Sequence, residues 1–179
     1  MMMDEYKRLI QRCACLSIKP TNEVLTISIA RQRMVYWRDG QVAGTFAIST
    51  GRRPPSCLVD SLGTPTGLHA VADRIGEGEP MGTVFRGRVS LGCVYSEMSA
   101  EKQVTNLITT RIMRLRGLDE GHNAGPGCDT YDRLIYFHGT NHEEMIGQPN
   151  SAGCIELTNE EVLELFEVVP EGSLVLIEE

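Results

Sequence analysis

Hydrophobic positions along the chain come in short apolar or alternating runs, and helical spacing is the exception. "VLTISIA" (24–30) alternates in the manner of a half-buried strand. "RMVYW" and "QVAGTFAIST" flank Asp39-Gly40, a dipeptide that favours the tight turn of a β-hairpin. "GLHAVADRI" (67–75), "TVFRGRVSLG" (83–92), "NLITTRIMRL" (106–115) and "RLIYF" (133–137) extend the series of short strands, and "SLVLI" (173–177) closes it. Loops rich in Gly and Pro lie between them, such as "TGRRPPS", "SLGTPTG", "GEGEPMG" and "GHNAGPG". One segment differs. In "TNEEVLELFEVVP", Thr158 and Glu161 stand at capping-box spacing, apolar residues fall at 162, 163, 165, 166 and 169, and Pro170 ends the run. The pattern predicts a mainly-β single domain, a β-sandwich or partly closed barrel, with one helix packed on it after Cys154. Residues 1–20 read as an N-terminal extension and 21–179 as the folded domain.

Composition narrows the function classes. A chain of 179 residues, 41% hydrophobic and 23% charged, has the make-up of an ordinary soluble globular domain. No run approaches the roughly 18 apolar residues of a membrane span. "MMMDEYKRLIQRCACLSIKP" carries Asp4, Glu5, Lys7, Arg8 and Arg12 where a signal peptide needs an apolar stretch, so no export signal is visible. A formal net charge of −7 argues against a nucleic-acid partner held through phosphates. Among the basic residues only Lys7, Lys19 and Lys102 are lysines; the rest are arginines, the better planar grip for carboxylates. The cysteines at 13, 15, 57, 93, 128 and 154 form no disulfide framework and read as free thiols.

Candidate chemistry concentrates in "HGTNHEEMIGQPNSAGCIEL" (138–157). His138 ends an apolar strand and Cys154 follows the small residues Ser151-Ala152-Gly153, shortly before the helix at Thr158. A thiol beside an imidazole, in a turn whose N–H groups converge, is what acyl transfer needs. Two other readings stand beside it. His138 could cap a strand end while Cys154 fills a small space, since a lone His–Cys pair is a weak motif. His122, Cys128, His138, His142 and Cys154 could supply zinc ligands, but "HGTNH" is a poor helix and no C-x-x-C or H-E-x-x-H is present.

These residues resemble the L,D-transpeptidases with a YkuD-type catalytic domain. The resemblance runs roughly from Val24 to Ile177 and rests on "STG" (49–51), "TPTGLH" (64–69), "GTVFRGR" (82–88), "LITTRIMRLRGL" (107–118) and "IYFHGTNHEEMIGQPNSAGCIEL" with the helix and strand after it. It implies an enzyme that cleaves the bond between the L-centre of a diamino acid, usually meso-diaminopimelate, and D-alanine in a peptidoglycan stem peptide. A thioester on the cysteine then passes its acyl group to an amine. By resemblance Cys154 is the nucleophile, His138 the base, and the Gly139 carbonyl the group that orients the imidazole. Ser151 and the N–H groups of Gly153 and Cys154 would line the oxyanion site, and Ala152, Glu156, Thr140 and Asn141 would lie along the bound substrate. The resemblance implies no metal and no cofactor, peptidoglycan stem peptides as partners, carbapenems as acylating inhibitors, and a place in the cell envelope or periplasm. With no export signal visible, the cytoplasm also stays open, and the oligomeric state is not legible.

Two positions depart from the family pattern of Ser-His-Gly-Cys followed by Ile/Val-Arg. Here the chain reads Ser151-Ala152-Gly153-Cys154-Ile155-Glu156. Ala152 keeps a backbone N–H but offers no imidazole. An inward-facing Glu156 should raise the thiol's pKa. These departures make a catalytically impaired peptidoglycan-binding relative one alternative; an L,D-carboxypeptidase of the same mechanism is another, because access to the thioester chooses the acceptor. Of the remaining residues, His69 reads as structural, and His122 and His142 as solvated loop residues. Arg111, Arg114 and Arg116 could grip carboxylates or mark a charged edge strand. Cys57, Cys93 and Cys128 have no evident base.

Overall fold

The computed structural model describes residues 2–179. Its first half runs α1 (Met2–Cys15), β1 (Glu23–Ser28), β2 (Arg33–Arg38), β3 (Gln41–Ala47), β4 (Gly67–Ile75), β5 (Thr83–Arg86) and β6 (Val89–Val94). There follow α2 (Ala100–Gln103), β7 (Ile108–Gly117), β8 (Tyr136–Gly139), β9 (Ile155–Leu157), α3 (Asn159–Val168) and β10 (Leu174–Glu178). The strands form one sheet in the order β3-β2-β1-β10-β4-β7-β5-β6, with β8 added to β7 and β9 to β8, curled into a half-barrel. β1–β10 and β8–β9 pair in parallel; the other pairs are antiparallel.

Alternation along the strands divides the apolar residues between two sides. Leu25, Ile27, Met113, Leu115, Phe137, Ile155, Leu157 and Val175 point into the hollow of the sheet, where Val162, Leu165 and Phe166 of α3 complete the main core. α3 starts where its sequence predicts: the Glu161 N–H donates to Thr158 Oγ1 at 3.2 Å, and the Thr158 N–H donates back to Glu161 Oε2 at 3.4 Å. Asp39 and Gly40 turn the β2–β3 hairpin with φ of 50° and 75°, both in the left-handed region that this turn requires.

The structure departs from the sequence pattern in three places. β1 is not half-buried, because α1 covers its other face: Leu9 and Cys13 pack with Val24, Val35, Trp37, Leu68, Leu174 and Leu176. Glu5 of α1 is buried there as well, accepting from Arg31 at 3.2 Å and from Arg33, while the Trp37 indole N–H donates to Thr26 Oγ1 at 2.9 Å. The 83–92 run is two strands, since Gly87 and Arg88, at φ of 55° and 69°, make a hairpin turn within it. And β7 is interior, paired to β4, β5 and β8, so its arginines do not guard an edge. Arg111 donates to Glu79 O at 2.8 Å and Thr110 O at 2.6 Å, and Arg114 donates to Tyr131 O at 2.6 Å and lies 3.3 Å over the Tyr131 ring. Both guanidinium groups are committed inside the fold. His69 is likewise buried, bonded to Gly67 O and Thr130 Oγ1, and burial pushes its pKa down to about 3.

Because α1 supplies one wall of the second apolar cluster, Leu9→Ala should destabilise the domain by about 2–5 kcal/mol in urea unfolding. Met3→Ala on the exposed side of the same helix should stay within about 0.5 kcal/mol of wild type.

Candidate active site

β8 delivers His138 and β9 begins just after Cys154. In the parallel β8–β9 ladder Phe137 pairs with Ile155, His138 with Glu156 and Gly139 with Leu157. Phe137, Ile155 and Leu157 turn to the main core, so Tyr136, His138, Cys154 and Glu156 share the opposite face. On that face Cys154 packs against Phe85, Ile112 and Tyr136, an apolar floor under the site. His138 is 4% exposed, and its Nδ1 lies 2.7 Å from Gly139 O. Donation of the Nδ1 proton to that carbonyl leaves Nε2 as the acceptor, the tautomer a general base needs. Gly139 itself has no room for a side chain: a Cβ would stand 2.7 Å from Asn159 Oδ1 and 2.9 Å from Thr109 O.

The turn before Cys154 is clamped from three directions. Ser151 Oγ donates to Cys154 O at 2.6 Å and accepts from the Gly153 N–H at 3.0 Å. The Ser151 and Asn150 N–H groups donate to Thr50 O at 3.0 and 2.9 Å. Thr64 Oγ1 donates to Gly153 O at 3.0 Å and accepts from the Gly51 N–H at 2.9 Å. Gly153 sits at φ of 120°, and a Cβ there would meet Gly63 O at 3.1 Å and Ile135 Cδ1 at 3.2 Å. The blocks "STG" and "TPTG" thus build the seat of the turn. The Gly153 N–H is spent on Ser151, whereas those of Ala152 and Cys154 make no hydrogen bond among the described residues.

Electrostatics keep the thiol and the imidazole neutral at rest. Cys154 is half-buried and its thiol donates to Leu134 O at 3.5 Å. Its pKa is pushed up to about 12, by burial first and by Glu156 next, against a backbone hydrogen bond from Tyr136 and the positive charge of Arg133. Burial lowers the pKa of His138, while Glu156 and the Gly139 carbonyl pull it back up. Among the described residues, the thiol makes no hydrogen bond to the imidazole in this state. Glu156 does point inward, 1% exposed, with its carboxylate accepting from the side-chain amides of Asn106 and Asn150.

Other residues named from the sequence take different places. Thr140 Oγ1 donates to Asn106 Oδ1 at 2.9 Å. Asn141 accepts from the Leu107 N–H at 2.8 Å and donates to Gln103 O at 2.8 Å. Both pin residues 103–107 against the site, and Ala152 alone of the expected substrate contacts is exposed. The five suggested zinc ligands do not converge: among the described residues no three His, Cys, Asp or Glu side chains are placed to hold a metal. Two features carried no signal in the sequence. Arg133 donates to Ser56 O at 2.9 Å and Gly63 O at 2.7 Å, tying the 56–63 loop beside the thiol. And Cys57 does have a base, since its sulfur lies 3.6 Å from His122 Nε2, which is itself 3.2 Å from Thr66 Oγ1.

A family model for the L,D-transpeptidase catalytic domain, YkuD, matches residues 22–177. The chain belongs to this family. YqjB of Bacillus subtilis (strain 168) is 48% identical over 48 residues, and YkuD of Bacillus licheniformis (strain ATCC 14580) is 50% identical over 41 residues. These stretches cover 27% and 23% of this chain, and about a quarter of each relative's length, 27% and 25%. An L,D-transpeptidase from Mycobacterium smegmatis superposes with a TM-score of 0.55 at 14% identity, over 88% of this chain and 59% of that one. L,D-transpeptidase 3 from Mycobacterium tuberculosis, solved with a faropenem-derived adduct, gives 0.55 at 17% identity, over 88% and 60%. At these identities the likeness is one of fold.

The two thiol–imidazole arrangements make this L,D-transpeptidase domain's resting reactivity predictable. Cys57 is half-buried beside the exposed imidazole of His122, whereas Cys154 is held protonated. Limited iodoacetamide at neutral pH should therefore label Cys57 ahead of Cys154 in a peptide map, and His122→Ala should slow the Cys57 labelling.

Proposed function

We propose that this domain is a cysteine-dependent L,D-transpeptidase that acts on peptidoglycan stem peptides through a thioester on Cys154. The supporting observation is that Cys154 and a His138 ring fixed by Gly139 O lie on one face of the β8–β9 ladder. Binding of the stem peptide turns the thiol away from Leu134 O towards His138 Nε2. The Sγ–H bond then breaks, Nε2 takes the proton, and the sulfur pair forms a bond to the carbonyl carbon between the diamino acid and D-alanine. The carbonyl oxygen gathers the displaced electrons, and the free N–H of Cys154 faces that charge. Collapse expels the D-alanine nitrogen, which leaves with the proton from Nε2, and a thioester remains. An acceptor amine repeats the sequence in reverse, returns the thiol and completes the new amide. Such a substrate puts the site of action at the cell envelope.

A second reading, the impaired peptide-binding relative, is favoured by the thiol's pKa of about 12 and its bond to Leu134 O. Incubation with a disaccharide tetrapeptide decides between them, with products read by mass spectrometry. The transpeptidase reading predicts a cross-linked dimer with loss of D-alanine, abolished in Cys154→Ser and slowed about 10²–10⁴-fold in His138→Ala. A tripeptide alone would mean that water is the acceptor, as in a carboxypeptidase. Unchanged tetrapeptide would establish the impaired relative.

A further inference from the structure

Glu156 is a carboxylate in a place where a buried charge needs a reason. It is 1% exposed. Its oxygens accept from two neutral amides, Asn106 Nδ2 on Oε1 and Asn150 Nδ2 on Oε2 at 3.3 Å. Asn106 is fixed in turn by Thr140 Oγ1, which donates to its Oδ1 at 2.9 Å. Among the described residues, no lysine or arginine forms an ion pair with Glu156. Buried charges without a counter-ion are costly, and two amides orient this one without neutralising it.

The group across from it is His138, its partner in the parallel ladder, on a strand about 4.8 Å away and on the same face. We infer that Glu156 is the positioning residue of the proton transfer: its carboxylate is the counter-ion waiting for the imidazolium that His138 becomes when it takes the Cys154 proton. The inference rests on the Cys154 thioester reading. It replaces the role of substrate contact that the resemblance suggests for this position, and it gives the amide pair Asn106 and Asn150 the task of aiming the carboxylate.

The surrounding groups leave Glu156 as the charge in control. His138 is flanked by Tyr136 on its own strand, by Ile112 on β7, by Glu156 on β9 and by Cys154 just before β9. Of these, Glu156 pulls the imidazole pKa up against burial, and the same carboxylate pushes the Cys154 thiol up, with Arg133 opposing it at the sulfur. The pair therefore rests as thiol and neutral imidazole. During attack the proton crosses from Sγ to Nε2, and the positive charge appears beside the carboxylate while the negative charge moves on to the substrate oxygen. No oxidant or cofactor takes part.

Glu156→Gln removes the charge and keeps the shape, and Glu156→Asp keeps the charge. Where the Gln variant does not fold, Glu156→Met fills the same space without charge. Two readouts apply: the His138 imidazole titration by NMR in the free protein, and the pH profile of Cys154 acylation by imipenem. Loss of the carboxylate should lower the His138 pKa and shift the acid limb of acylation to lower pH. It should also slow acylation at neutral pH by about 10–100-fold, the usual scale for a supporting residue. At high pH the deficit should shrink, because the thiol ionises more readily without Glu156 beside it. Glu156→Asp should restore most of the wild-type profile. An unchanged His138 titration in the uncharged variants would overturn the inference. If wild-type protein takes up no imipenem, the thioester reading fails, while the NMR titration still decides whether Glu156 governs the imidazole.

Discussion

The short parallel pairing of β8 with β9 is the constraint on which the site depends. Only three residue pairs long, it sets His138 against Glu156 and leaves Cys154 at the mouth of the ladder on the same face. A slip of one residue would turn Cys154 and Glu156 into the main core and bring Ile155 out to the site. The register is guarded at both ends. Upstream, the 150–154 turn is seated on Thr50, Gly51 and Thr64. Downstream, Asn159 opens α3 and ties three segments together: its Nδ2 donates to Thr140 O at 2.8 Å, and its Oδ1 accepts from Thr109 and Thr110 of β7. Phe137, Ile155 and Leu157 complete the lock, since the core that buries them fixes which side the reactive residues face.

A site so placed is protected at rest. Burial and Glu156 hold the thiol protonated, and the thiol donates a hydrogen bond to Leu134 O. Leu134 holds φ at 58°, a conformation rare for a branched residue, so that acceptor is itself presented by a strained turn. In the proposed thioester mechanism, the reactive state is reached when a substrate carbonyl supplies a place for the negative charge. In that reading the site favours selectivity over general thiol reactivity, whereas Cys57, half-buried too, has the His122 imidazole 3.6 Å from its sulfur.

Much of this was legible from the chain because the signals are local. The period of two, Asp39-Gly40 and the Thr158–Glu161 box each act within a few residues, and the strands and α3 follow from them. The candidate pair was singled out through resemblance: spacing alone left a structural and a metal reading open for His138 and Cys154. What escaped depends on tertiary contact. α1 carried its signal in Tyr6, Leu9, Ile10 and Cys13 at helical spacing, hidden among charged residues that also read as the absence of an export signal. The burial of Arg111 and Arg114 follows from β7 lying inside the sheet, and strand order is not written in any one strand. The meeting of Cys57 with His122, 65 residues apart, and of Asn106 with Glu156, 50 apart, depends on loop paths that no local pattern sets.

The central claim is that Cys154, with His138 as its base, is the acyl-accepting thiol despite its high resting pKa. The most direct measurement is a peptide map of the protein after exposure to imipenem, the ligand with which one structural neighbour of this fold was solved. The account predicts a single adduct on Cys154, absent in Cys154→Ser and present at wild-type level in His122→Ala. An adduct on Cys57, or none on any of the cysteines, would contradict it.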